Sequence, residues 1–196
     1  MWYYIKQSFL SFIYLIFMAM ISLSILMVNI LWLKIVLNFL SVGLYLIVIC
    51  SASYKDGENA LKVRVANDVE RREIVRTGEN RPLKLKEEYK PWKGFVFGAI
   101  ACAPLVILLI IHAILVAINP ALNGAGAISG LVYGMFYVFA GMFFGAFQPW
   151  HYYFSLVALI VIPLATGVPY ILGAKKIERQ QERIKERQRQ IYGDEN

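Results

Sequence analysis

"GAGAISGLVYGMFYVFAGMFFGAFQ" (residues 124–148) carries no charge and is long enough to cross a bilayer. Whether it does so decides between a four-span and a five-span protein. At the 3.6-residue period of a helix, Gly126, Gly130, Gly134, Gly141 and Gly145 fall within an arc of about 100°. Phe136, Phe139, Phe143 and Phe147 gather on another face. Small residues at four-residue spacing let helix backbones approach in lipid, while bulky rings can face acyl chains. The run reads as a helix whose glycine face packs on protein.

The rest of the chain repeats the apolar theme. Of 196 residues, 59% are hydrophobic and 17% charged, where a soluble domain has nearer a quarter charged. Residues 8–33, 35–52, 95–118, 126–147 and 152–173 contain no Asp, Glu, Lys or Arg. About 20 apolar helical residues span a hydrocarbon core, so each run is a candidate. The first is too long for the apolar part of a cleaved signal peptide and reads as a retained span. Cys50 and Cys102 lie in apolar runs without CxxC spacing, and they read as small buried hydrophobes rather than a disulfide or zinc site.

The charges are confined to the intervals. Residues 55–93 hold 11 Lys/Arg and 8 Asp/Glu, and the tail from Lys175 holds 7 and 5; the net charge is +7. Such flanks report orientation and contact with anionic lipid headgroups. Close mixing of acidic with basic residues argues against nucleic-acid binding. Short Lys/Arg-dense segments stay on the cytoplasmic side, so both belong inside, which requires an even number of crossings between them. "NPALNG" and "QPWHYY", flanking the glycine run, have no Lys or Arg. The expectation is an all-α protein of a bacterial cell membrane, with four transmembrane helices and both termini cytoplasmic. The run 126–147 is then a re-entrant or tilted helix, tolerated where protein encloses it. Five transmembrane helices are the alternative.

Four regions follow. Residues 1–52 form a hairpin, with Trp2, Tyr3 and Tyr4 as interfacial anchors and a turn near residues 29–34. Residues 53–93 form a cytoplasmic loop with a helix between a start signal at Asp56 and a stop at Gly78. This helix either stands alone or continues the second span. Pairs at i,i+4 are expected between Glu58 and Lys62 and between Asp68 and Arg72. "LKLKEEYKPWKGF" then lies on the headgroups, with Trp92 and Lys93 as the membrane-surface anchor. Residues 94–173 form the second membrane region, and residues 174–196 a charged, solvated helical tail. Ile177, Ile184 and Ile191 recur every seven residues but lack the alternating apolar partners of a coiled coil.

Chemistry is sparse. No carboxylate lies in any span, which argues against a carrier relying on membrane carboxylates. His112 is the one candidate polar intramembrane site, and interhelical hydrogen bonding is its plainer role. Ser129 has no motif that joins it to His112 or His151 as a nucleophile–base pair. Glu87 and Glu88 suit surface ion pairs. No catalytic residue, cofactor or metal is expected. The reading is a non-catalytic scaffold or accessory subunit that meets lipid, another membrane protein or its own copies. The alternative is a small oligomeric channel or transporter component built on the glycine-rich segment, with Pro104, Pro163 and Pro169 breaking helices nearby.

Overall fold

The computed structural model describes residues 2–78, 89–122 and 155–192. They form helix α1 (Trp2–Leu26), α2 (Leu31–Thr77), α3 (Lys93–Ile118), a short 3₁₀ turn (Pro120–Leu122) and α4 (Ser155–Tyr192), with no strand among the described residues. All four α-helices are long and apolar enough to cross a membrane, so the chain is a multi-pass helical membrane protein. The glycine-rich run lies outside the described residues.

The first two helices form the expected hairpin, with a tighter and earlier turn. Met27 N donates to Ser24 O and Val28 N to Ile25 O, and α2 begins at Leu31, so Trp32 and Lys34 sit in its first turn. Within the pair, Ser22 Oγ donates to Asn38 Oδ1 at 3.1 Å, and Asn38 Nδ2 donates to Lys34 O at 3.0 Å. Both side chains are fully buried. Polar groups with no water must find partners within the protein.

At 47 residues, α2 is one uninterrupted helix, roughly 70 Å long at 1.5 Å per residue, more than twice the hydrocarbon thickness. Asp56 therefore starts nothing. A cap residue needs non-helical backbone angles, and here the helix simply continues out of the second span. Gly78 does stop it: its φ of 68° is left-handed, and its N–H donates to Ile74 O at 2.9 Å. Likewise α4 carries 38 residues through its apolar half and the charged tail to Tyr192 without a break.

Residue pairs fix the directions. Cys50 meets Ala165 and Glu58 meets Lys176, so α2 and α4 run parallel. Gly94 lies beside Gly167 and Tyr170 while Gly98 lies beside Pro163, so α3 runs antiparallel to α4. The main core draws on every helix, through Leu15 and Met18, Tyr45 and Ile49, Ala101 and Leu105, and Ala158 and Ile162. Outside it, Phe17, Phe39, Ile47, Ile110 and Ile160 are each more than half exposed. An apolar exterior of this extent is a surface for lipid.

Charge pairing differs from local expectation. Glu58 bonds Lys176 of α4 at 2.6 Å rather than Lys62, and Asp68 bonds Arg71 at 3.0 Å, one residue nearer than Arg72. The reason in the first case is that α4 lies against α2 at that level. The four-residue stripe of Leu61, Val65 and Val69 drifts off the buried face, from 8% exposed at Leu61 to 55% at Val69. In the tail Ile177 is buried, but Ile184 and Ile191 are exposed.

Candidate functional site

The densest junction outside the main core is where α2, α3 and α4 meet around Tyr170. It is built on glycine. A Cβ at Gly57 would overlap the main-chain carbonyl of Tyr170, and one at Gly173 would overlap that of Tyr54. The two glycines therefore bring the α2 and α4 backbones into reciprocal contact. Gly94 is as constrained: a Cβ there would lie 2.6 Å from the Tyr170 Cβ. A Cβ at Gly98 would meet Pro163 Cα at 2.5 Å, and at Gly167 the space is filled by the Phe95 ring. Close packing of small residues is the main source of helix affinity where lipid tails are as apolar as leucine.

Tyr170 fills the pocket so formed and is 1% exposed. Tyr89 stacks on its ring at 5.5 Å and 18°, and Phe97 meets it edge-on at 5.9 Å. Tyr89 thus ties the stretch before α3 to the junction. Burial, and then the Glu178 carboxylate, hold the Tyr89 phenol above its ordinary range, partly offset by Arg64. Just beyond, Leu61, Ala174 and Ile177 form a second small apolar cluster between α2 and α4. The Glu58–Lys176 pair closes its edge, and the Lys176 ammonium lies 5.6 Å from the Tyr54 ring.

Proline shapes α4 where it meets its neighbours. Pro169 has no N–H to give the carbonyl of Ala165, four residues back. That carbonyl is reached from α2, by Cys50 Sγ at 3.2 Å. Thr166 turns its hydroxyl onto the carbonyls of Ile162 and Pro163, each at 3.1 Å. Cys102 is buried in the main core, and neither cysteine is in a disulfide.

The residues singled out from sequence fall in different places. Gly126, Gly130, Gly134, Gly141 and Gly145 lie outside the described residues, as do Ser129, His151, Glu87 and Glu88. Trp92 is half-exposed, with Lys90 5.9 Å over its ring, whereas Lys93 is 6% exposed at the first residue of α3. His112 is buried on the α3 face that also carries Gly98, Cys102 and Leu105. It lies seven residues beyond Leu105, far from the Tyr170 junction. No group of three or more His, Cys, Asp or Glu converges as a metal site among the described residues.

The glycines that do shape the junction went unnoticed in the sequence. Gly57 follows the helix start expected at Asp56, and Gly173 ends the apolar run 152–173 before "AKK". Each lies within three residues of the point where an uncharged run gives way to charge, and that was the available signal. Compared with known proteins, the chain matches no family model, no curated protein and no solved structure.

Proposed function

We propose that this protein is a non-catalytic membrane scaffold or accessory subunit of the cell membrane, whose working part is the stalk formed by α2 and α4 beyond the bilayer. The observation that carries this reading is the pairing of two overlong helices. They leave their apolar halves side by side, locked by Gly57 against Tyr170, Gly173 against Tyr54, and Glu58 against Lys176. Beyond Ile177 the two charged arms are largely exposed, with mixed charge and few large apolar side chains. Such surfaces suit modest-affinity contacts with a partner subunit or with a second copy of the chain.

Both arms belong to one side of the membrane in this account, and the basic excess of each assigns that side to the cytoplasm. The N-terminus joins them there, because α1 runs up and α2 back. Residues 119–154 then begin and end at the outer face, and the run 126–147 is a re-entrant or tilted helix with its glycine face on protein.

The test is to purify the full chain from its own membrane and to reconstitute it into vesicles. Stable self-association or a stoichiometric protein partner, lost when the arms are altered, together with vesicles that stay sealed to ions and small solutes, is the expected result. Flux abolished by Gly134→Leu or Gly141→Leu would overturn it in favour of a channel or transporter component.

A further inference from the structure

The outer side of α4 changes character along its length. Ile160, Leu164, Val168 and Leu172 form an exposed apolar ridge, 45–63% exposed. The same ridge continues, after less than one turn, as Lys175, Arg179 and Arg183. Four-residue spacing lines up these cations along the helix, with Glu178, Glu182 and Glu186 three residues beyond each on the adjoining flank. Among the described residues none of the three cations makes an ion pair.

They line an open groove of about 460 Å³ whose other wall is Tyr54 of α2 and whose inner end is Leu172. Lys176 is also at the rim, held by Glu58 and by the Tyr54 ring. That contact fixes Tyr54 and the near wall before any ligand arrives. A smaller concavity lined by Arg183, Ile184 and Arg187 continues the groove along the helix.

We propose that this groove binds the phosphate headgroup of one anionic phospholipid from the adjacent leaflet. Its acyl chains lie along the Ile160–Leu172 ridge, and its phosphate is held by Lys175, Arg179 and Arg183. The placement follows from chemistry. A phospholipid presents two apolar tails and a phosphate at a fixed depth, and the ridge presents four apolar side chains followed at once by three closely spaced cations. Basic pockets between membrane helices at the water boundary take headgroups in this way. Arginine adds paired donors that match phosphate oxygens. A free phosphate would use the cations but leave the ridge and Leu172 without a role. The site needs α4 to sit in a membrane, and it stands whether or not the scaffold reading does.

The experiment uses the full chain, delipidated in a neutral detergent and titrated with phosphatidylglycerol or phosphatidylcholine, with bound lipid counted by native mass spectrometry. One tightly held phosphatidylglycerol per chain is expected, with phosphatidylcholine much weaker. Lys175→Gln, Arg179→Gln and Arg183→Gln together weaken it at least about tenfold, since each removes one cation that attracts the headgroup at the membrane surface. A control that removes three other cations, Lys62→Gln, Arg76→Gln and Lys185→Gln, leaves retention unchanged. Equal loss in both triple variants means net charge alone attracts lipid and overturns the site. So does equal retention of the two lipids, or displacement by inorganic phosphate at concentrations comparable with the lipid.

Discussion

The thiol of Cys50 on α2 lies 3.2 Å from the carbonyl oxygen of Ala165 on α4, the one carbonyl that Pro169 leaves without its helical N–H. A proline gap in one membrane helix is thus closed by a side chain from its neighbour. Membrane helices accept proline when neighbouring groups re-satisfy the freed backbone. The donor matters more than the volume here. Cys50→Ser should therefore keep the thermal midpoint of the detergent-solubilised chain within a few degrees of wild type, and Cys50→Val should lower it. A thiol donor is weak, and a lost contact on the order of 1 kcal/mol is the expected difference. Equal midpoints for Ser and Val would show that the contact contributes no stability.

Gly57 and Gly173 should tolerate nothing larger. Gly57→Ala sets a methyl against a backbone carbonyl that cannot swing away. Overpacking of this kind costs about 1–3 kcal/mol, or a fall of roughly 2–12 °C in midpoint for a chain this size. Gly43 is the internal control, because nothing lies within 4 Å of its Cβ position. Gly43→Ala should be neutral or gain up to about 1 kcal/mol from helix propensity. A Gly57→Ala midpoint no lower than that of Gly43→Ala would contradict the close approach of α2 and α4.

The buried Ser22–Asn38 bond should couple α1 to α2 weakly. A double-mutant cycle on Ser22→Ala and Asn38→Ala is expected to return about 0.6 kcal/mol, and at most about 1.7, the span of such bonds in membranes. Asn38→Ala alone should cost more than Ser22→Ala, since it removes two hydrogen bonds and a fully buried side chain. A cycle that closes to zero would separate the two residues.

The Glu58–Lys176 pair gives a pH signature. The hydrogen bond that Lys176 donates to Glu58, and then the Glu58 charge, raise the Lys176 pKa above the usual lysine value of 10.5. A lysine raised on folding stabilises the fold fully below its unfolded value and loses that contribution as pH climbs through the folded one. The midpoint difference between wild type and Lys176→Gln should therefore be level from neutral pH to about 10 and close above it. Salt should shrink it throughout, because Lys176 is half-exposed. Glu58→Lys combined with Lys176→Glu should recover most of the loss from Lys176→Glu alone. A difference that grows with alkalinity would be of the wrong sign for this pair.

Much of the fold was legible because length and charge-free runs are read directly against bilayer thickness. The hairpin, the third span with Pro104 and the stop at Gly78 all follow from local chemistry. What escaped was long-range. Glu58 has a good local partner in Lys62, and only the packing of α4, 118 residues away, diverts it. Asp56 and Gly57 carry turn chemistry, yet the glycine serves the approach of α4 and the helix runs through both. Cys50 looked inert because its partner is a carbonyl exposed by a proline 119 positions later in the chain. The glycine pattern that stood out, on Gly126 to Gly145, was conspicuous by period; Gly57 and Gly173 are single residues on different helices and make no period.

The central claim is that both charged arms project together from the cytoplasmic face. Its most direct test is labelling of Lys62→Cys and Gln188→Cys, each alone in a Cys50→Ser, Cys102→Ala background, with a membrane-impermeant maleimide. Both positions are exposed on their helices. Protection of both in intact cells, with both labelled after the membrane is opened, is the expected result. Labelling of one from outside while the other stays protected would put the arms on opposite sides and contradict the parallel stalk of α2 and α4.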